Sequence, residues 1–240
     1  MSDTIHYLLL RPAEFAARIK ERPVGYLPLG TIEWHGPQCP LGGDALISTH
    51  LFERCARRFG GIVFPPLFLG PDRIKGDSET ALNGMDFLFR RPEYAEQQLT
   101  GSCYWAPEGL FLLMVEQVIS QAKRAGFKAI VADGHGPSRG SFNAHAERWE
   151  EQYGIVLIGS QYRMGEGWST QMDHAAKNET SLMLAAHPDR VDLSTLPADP
   201  EGWPMGVGGV DPRESSAQFG EELYEKTVAL IGEALTNAGI

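Results

Sequence analysis

Cysteine is scarce in this chain: three residues in 240, Cys39, Cys55 and Cys103. An odd number with no C-x-x-C spacing speaks against a disulfide scaffold and against a thiolate zinc site. Basic residues are in short supply as well. Lysine and arginine number 21 against 31 aspartates and glutamates, a formal charge of −10. Such a chain is badly suited to neutralising phosphates, so nucleic acid is not an expected partner. No apolar run reaches the roughly 20 residues of a membrane span. The first residues carry no basic cluster, and Leu8-Leu9-Leu10 is too short for a signal core. No internal repeat or low-complexity tract is present. The expectation is a reduced, cytoplasmic protein without a membrane partner. Its 42% hydrophobic and 22% charged residues can bury a substantial core as one domain spanning residues 1–240.

What is present is an alternation of strand-like and helix-like segments. Short apolar strands are predicted over Val24–Leu29, Ile62–Phe64, Ala129–Ala132 and Ile155–Ile158. Helices are predicted over Ala45–Phe59, with Asp44 as a cap, and over Glu108–Ala125, Ser141–Tyr153, Glu179–His187 and Ser215–Ala238. Strands separated by helices of this length imply an α/β fold: a mainly parallel sheet covered on both faces. Ligand sites of such sheets gather at the carboxyl ends of the strands. Residues 70–102 form an irregular insertion too long for a simple connection, expected to serve as a lid, a binding loop, an oligomer contact or a plain surface excursion.

Three polar clusters bear on chemistry. The first, Gly30-Thr31-Ile32-Glu33-Trp34-His35-Gly36-Pro37 followed by Asp44, leaves the first strand directly. In an extended segment Glu33 and His35 point the same way. Two carboxylates and an imidazole suit Zn²⁺, Mn²⁺ or Fe²⁺, and Asp44, with two oxygens, can bridge two ions. The plainer alternative is a helix-capping Asp44 and a Glu33 paired with an exposed base. The second cluster, Asp133-Gly134-His135-Gly136-Pro137-Ser138-Arg139, follows another buried strand. Its glycines allow a sharp turn that presents His135 over the strand end. Anion binding at this turn with help from Arg139 is the alternative, although no G-x-G-x-x-G or Walker A pattern supports it. The third is Asp173-His174-Ala175-Ala176-Lys177-Asn178-Glu179. Here Glu179 is either a first-turn acid or a metal ligand, and His174 is a candidate acid/base.

Together these segments resemble the creatininase family of metal hydrolases. The resemblance rests on Leu27-Pro28-Leu29-Gly30-Thr31-Ile32-Glu33-Trp34-His35-Gly36-Pro37 with Asp44, on Gly134-His135-Gly136, and on His174-Ala175 followed by Glu179-Thr180-Ser181-Leu182-Met183-Leu184. A fainter match runs from Gly206 to Arg213. The resemblance implies a three-layer α/β/α sandwich with a binuclear metal centre. It implies Glu33, His35, Asp44, His135 and Glu179 as ligands, with Asp44 bridging, and His174 and Glu179 as catalytic groups. For substrate binding it points to Trp168, to which we add Arg139 and Trp34 from their positions beside the motifs. It further implies a small-molecule substrate and a homo-oligomer, a hexamer or a smaller symmetric assembly.

There are departures from the family pattern. Creatinine-hydrolysing members carry a metal-binding Glu two residues after the histidine matching His135, where this chain has Pro137. Many relatives read Gly-His-Gly-Gly-Asn, against Gly-His-Gly-Pro-Ser here, and residues 70–102 do not follow the usual pattern. Strict creatinine specificity is therefore not expected. The expected activity is metal-dependent opening of a small cyclic amide or related ring by C–N hydrolysis. Cleavage of a ring C–C bond in a polyol-derived ketone of inosose type, and a non-catalytic metal-binding module, are the alternatives. Cys39 and Cys103 are expected to be small buried hydrophobes. His50, His145 and His187 are expected to be structural or solvated.

Overall fold

The computed structural model describes residues 4–77, 81–89, 91–92, 94–164, 166–199 and 201–240. The start of the N-terminal reading, residues 1–3, and residues 78–80, 90 and 93 of the irregular insertion lie outside them. In chain order the elements are α1 (Pro12–Glu21), β1 (Val24–Leu29), α2 (Gly43–Phe59), β2 (Ile62–Val63), β3 (Ile74–Lys75) and β4 (Leu82–Asn83). They continue with α3 (Glu108–Arg124), β5 (Ala129–Gly134), α4 (Gly136–Tyr153), β6 (Val156–Gly159), α5 (Lys177–Ala186) and α6 (Ala217–Asn237).

Four strands form a parallel sheet in the order β2-β1-β5-β6. β1 and β5 are buried along their whole length, as strands covered on both faces must be. Their side chains divide by the two-residue period of a strand. Val24, Tyr26, Ala129, Val131 and Ile158 join one core with residues of α2, α5 and α6. Leu27, Leu29, Ile130, Ala132 and Leu157 join a second core with Phe111, Val115 and Ile119 of α3 and Phe142 and Trp149 of α4. The result is the expected three-layer α/β/α sandwich.

The differences from expectation are local. α1 was not anticipated, because its apolar stripe is thin: Phe15 and Ile19 pack on the second core while most of the rest is charged or small. Its start does carry a signal, Pro12 in the first turn and a capping box from Arg11 to Glu14. Asp44 does not cap α2. That position is Gly42, and Asp44 lies inside the first turn. α4 begins at Gly136, five residues earlier than Ser141, with Pro137 in its first turn, where a missing N–H costs nothing. α5 and α6 meet at Gly220, where a Cβ would lie 2.0 Å from the Ser181 carbonyl oxygen.

In residues 70–102, β3 and β4 pair as a short antiparallel hairpin. Asp86 is buried beneath it and accepts from Asn83 N at 2.9 Å and Leu99 N at 2.8 Å. Among the described residues, no helix is long and apolar enough to cross a membrane. Cys39 packs partly buried against the first core and Cys55 is buried within it. Cys103 corrects expectation: it is exposed, because only its backbone is engaged, pairing with Ile32.

Candidate metal centre

The first and second clusters meet because β1 and β5 are neighbours. Leu29, the last residue of β1, is paired with Gly134, and His135 N donates to Leu29 O at 3.0 Å. Gly134 has φ +150, and a Cβ there would sit 1.5 Å from the Leu29 carbonyl oxygen, so no other residue lets the chain turn at this point. Beyond β1, Glu33 N donates to Leu41 O at 3.0 Å, which anchors the extended segment carrying Glu33 and His35. Asp44 enters from the first turn of α2. Gly43 lets that turn close on the imidazole, since a Cβ there would lie 2.6 Å from His35 Cδ2. Glu179 enters from the first turn of α5, and His174 from the preceding segment, whose backbone pairs with Gly208.

All six polar residues converge and are buried. Asp44 Oδ2 lies 3.6 Å from His35 Nε2 and 3.4 Å from His135 Nδ1. Glu33 Oε1 lies 3.1 Å from His135 Nδ1 and 3.8 Å from His174 Nδ1. Glu179 Oε2 lies 3.8 Å from His35 Nε2. Among the described residues, three sets of donor atoms are close enough to hold an ion: Glu33, Asp44 and His135; His35, Asp44 and Glu179; and Glu33, His35 and His174. The first two share Asp44.

Backbone carbonyls orient all three rings. A carbonyl can only accept, so the ring nitrogen facing it must be the donor. His35 Nδ1 faces Glu33 O at 3.1 Å, which leaves Nε2 turned toward Asp44 and Glu179. His135 Nε2 faces Pro71 O at 3.1 Å, which leaves Nδ1 turned toward Glu33 and Asp44. His174 Nε2 faces Trp34 O at 2.8 Å, which leaves Nδ1 toward Glu33. Meanwhile Glu33 Oε2, His35 Nε2 and Asp44 Oδ2 are buried with no hydrogen-bond partner. Unpaired buried groups of this kind are costly, and inward-facing nitrogen and carboxylate donors are what a divalent ion requires. The residues fit such an ion.

The electrostatics separate the histidines. Burial opposes charge on His35, but Asp44, with Glu179 and Glu33 behind it, outweighs burial and pushes the ring up to about 10. His135 is likewise raised against burial by Glu33 and Asp44. Asp44 is held well below the usual carboxylate range by His35 and His135, despite its burial. Burial raises Glu179, against the pull of His35. His174 goes the other way: burial lowers it, Glu33 opposes and His35 adds to the lowering.

A pH dependence follows for the metal-free protein. His35 stays protonated up to about pH 10, and a ligand nitrogen must be bare, so ion uptake releases protons and affinity rises with pH. Zn²⁺ affinity is expected to climb up to about tenfold per pH unit for each proton released. Calorimetry in buffers of different ionisation enthalpy measures that release. Uptake without proton release would contradict the protonation pattern.

The centre opens into a cavity of about 230 Å³, lined by Glu33, Asp44, His135, His174 and Glu179 together with Arg139 and Pro137. Sequence reasoning missed Asp72, Arg73, Met85, Leu88, Phe89 and Gln171, which also line it. The first five come from the irregular insertion, expected as a lid or binding loop, where no local pattern singles out the residues that face the site. Phe89 stacks on His174 with ring centroids 6.2 Å apart. Gln171 is buried with φ +53, an unusual conformation for this residue type, and its Oε1 has no partner. Arg139 is tied to Asp133 at 3.3 Å and to the Thr170 and Gln171 carbonyls. Asp133 itself is pushed up to about 6 by burial, with Arg139 opposing. Neither proposed tryptophan is among the lining residues. Trp168 donates to Thr170 O at 2.9 Å and packs on the first core. Trp34 donates to Met205 O at 2.8 Å and serves the site through its own carbonyl.

Comparison with known proteins gives the family and the fold. Residues 9–235 match the family model for creatininase, described as creatinine amidohydrolase. A creatinine amidohydrolase from Pseudomonas putida is 26% identical over 269 residues, covering 98% of this chain and 97% of the relative. A solved structure of creatininase with Mn aligns at TM-score 0.69 and 22% identity, covering 98% and 99% of the two chains. A Glu-to-Gln variant of creatininase in a Zn-Zn form aligns at TM-score 0.72 and 21% identity, covering 99% of each. The structural matches establish a shared fold, and the family model spans nearly the whole sequence: the chain belongs to the creatininase family of metal-dependent amidohydrolases.

Proposed function

We propose that this protein opens the ring of a small cyclic amide by hydrolysing a C–N bond, with Glu33, His35, Asp44, His135 and Glu179 holding two divalent ions and His174 moving the proton. The observation that carries the reading is the pair of donor sets sharing Asp44 beside a histidine whose ring is held neutral. The Mn and Zn-Zn forms of the structural relatives and the named activity of the Pseudomonas putida relative support it. When bound, the ions would polarise the substrate carbonyl and lower the pKa of an attacking water.

The chain's own residues supply the rest. His174 Nδ1 is bare because Nε2–H is held by Trp34 O. It takes one proton from the water as the C–O bond forms, then delivers it to the ring nitrogen as the C–N bond breaks. The ring opens to a carboxylic acid and an amine, and the second water proton, left on the acid, then passes to the amine, giving a carboxylate and an ammonium group. Glu179 Oε2, which accepts from Ala175 N at 2.6 Å, cannot swing away from His35. Phe89 and Leu88 form the apolar part of the cavity wall and limit water at the site.

Pro137 and the insertion's wall separate the cavity from the creatinine-hydrolysing pattern, so the substrate is expected to be a different cyclic amide. The test strips the protein with a chelator, restores Zn²⁺ or Mn²⁺, and screens hydantoins, lactams and creatinine for ring-opened products by mass, with inososes as the C–C alternative. Turnover of a cyclic amide that vanishes on stripping and returns with metal is the expected result. Turnover of inososes alone would replace the C–N reading, and metal binding without turnover of any compound would favour a binding module.

A further inference from the structure

Asp72 lies outside all three donor sets, yet it is built into the wall behind them. Its side chain is 2% exposed, and its Oδ2 stands 3.7 Å from His135 Nε2. That is the ring edge facing away from Glu33 and Asp44. Oδ1 accepts from Arg73 N at 2.6 Å, whereas Oδ2 has no hydrogen-bond partner. The neighbouring Pro71 carbonyl meets the same ring edge at 3.1 Å. Two consecutive residues thus present oxygens to one ring nitrogen. Gly84 leaves room for this: its φ is +50, and a Cβ there would lie 2.4 Å from Asp72 Oδ2.

We propose that Asp72 is a positioning residue for His135, its carboxylate charge standing beside the Nε2–H that the Pro71 carbonyl accepts, so that the ring is polarised and Nδ1 is presented to the metal bound by Glu33 and Asp44. The inference rests on the metal-centre reading given above. A carboxylate on the outer edge of a ligating imidazole fixes the tautomer and makes the inner nitrogen a better donor. The need is acute in this chain. In the set with Glu33 and Asp44, His135 is the one nitrogen donor, so its orientation decides how that ion is held. Asp72 is too far round the ring to bind the ion itself, since its carboxylate approaches Nε2 and Nδ1 faces the opposite way.

The test uses the full chain loaded with Zn²⁺, titrated against a chromophoric chelator, in the wild type and in Asp72→Asn. Both are expected to bind two ions at saturation. One ion in Asp72→Asn should be weakened about 10- to 100-fold, the usual cost of losing an outer partner, and the other unchanged. In the zinc-loaded wild type with ¹⁵N-labelled histidine rings, His135 should show a slowly exchanging, downfield Nε2–H proton that moves upfield in Asp72→Asn. Equal affinities in the two proteins would overturn the proposal. So would loss of a whole ion at saturating zinc, which would make Asp72 a direct ligand. Should Asp72→Asn not fold, Asp72→Ser takes its place in both measurements, and equal affinities or an unmoved Nε2–H signal in that variant overturn the proposal. A wild type that binds no zinc would instead sink the metal-centre reading.

Discussion

Asp44→Ala is expected to abolish high-affinity binding of both divalent ions and to lower turnover more than about 1,000-fold, beyond the 10- to 100-fold typical of outer partners. Asp44 is the residue common to the two donor sets that would hold the pair of ions. Its Oδ2 faces His35 Nε2 on one side and His135 Nδ1 on the other. No neighbour can take its place, because Glu33 is turned to His135 and Glu179 is held by Ala175 N. Without this carboxylate, His35 loses the largest influence that raises it against burial. The ring then shifts toward neutrality, so the variant keeps its histidines able to ligate but loses the bridge. Metal analysis after dialysis, with circular dichroism as a control for folding, measures the effect. One ion retained at wild-type affinity would show that the two sets act separately and that Asp44 is not shared.

His174→Ala is expected to leave both ions bound and to lower kcat by about 10²- to 10⁴-fold, the range for loss of a positioned general acid–base. The ring is well placed for the role. Nε2 donates to Trp34 O, the plane is stacked on Phe89, and Nδ1 is bare toward Glu33. Burial lowers its pKa, with Glu33 opposing, so at neutral pH the ring is uncharged and ready to accept a proton. The drop should fall on kcat with KM little changed, because the histidine's contribution is made in the transition state. A variant that loses one ion along with activity would assign His174 to the third donor set, with Glu33 and His35, as a ligand.

These two residues illustrate what a linear reading can and cannot reach. Position at a strand end or a helix start marked Glu33, His35, Asp44, His135 and Glu179 as candidates beside plainer alternatives, and it was the resemblance to the creatininase family that implied the ligand set and His174 as acid/base. Asp72, Leu88, Phe89 and Gln171 were not recognisable. They sit in segments without hydrophobic period, and their place in the cavity depends on how the insertion folds back over the strand ends. Trp34, expected at the substrate from its place beside a motif, and Trp168, expected there from the family resemblance, have their indoles turned to backbone carbonyls at Met205 and Thr170 in this structure.

By itself the sequence determined the layering and the inventory of donors. Strands as apolar as Val24–Leu29 and Ala129–Ala132 can be satisfied only by cover on both faces, and the periods of two and 3.6 assign each side chain to its layer. The tertiary structure alone decided the pairing of β1 with β5, which brings Glu33 and His35 beside His135 across a gap in sequence of about 100 residues. It also decided the wall that the insertion builds around the centre. Strand order and loop closure depend on contacts between residues far apart in the chain, and no local propensity encodes such contacts.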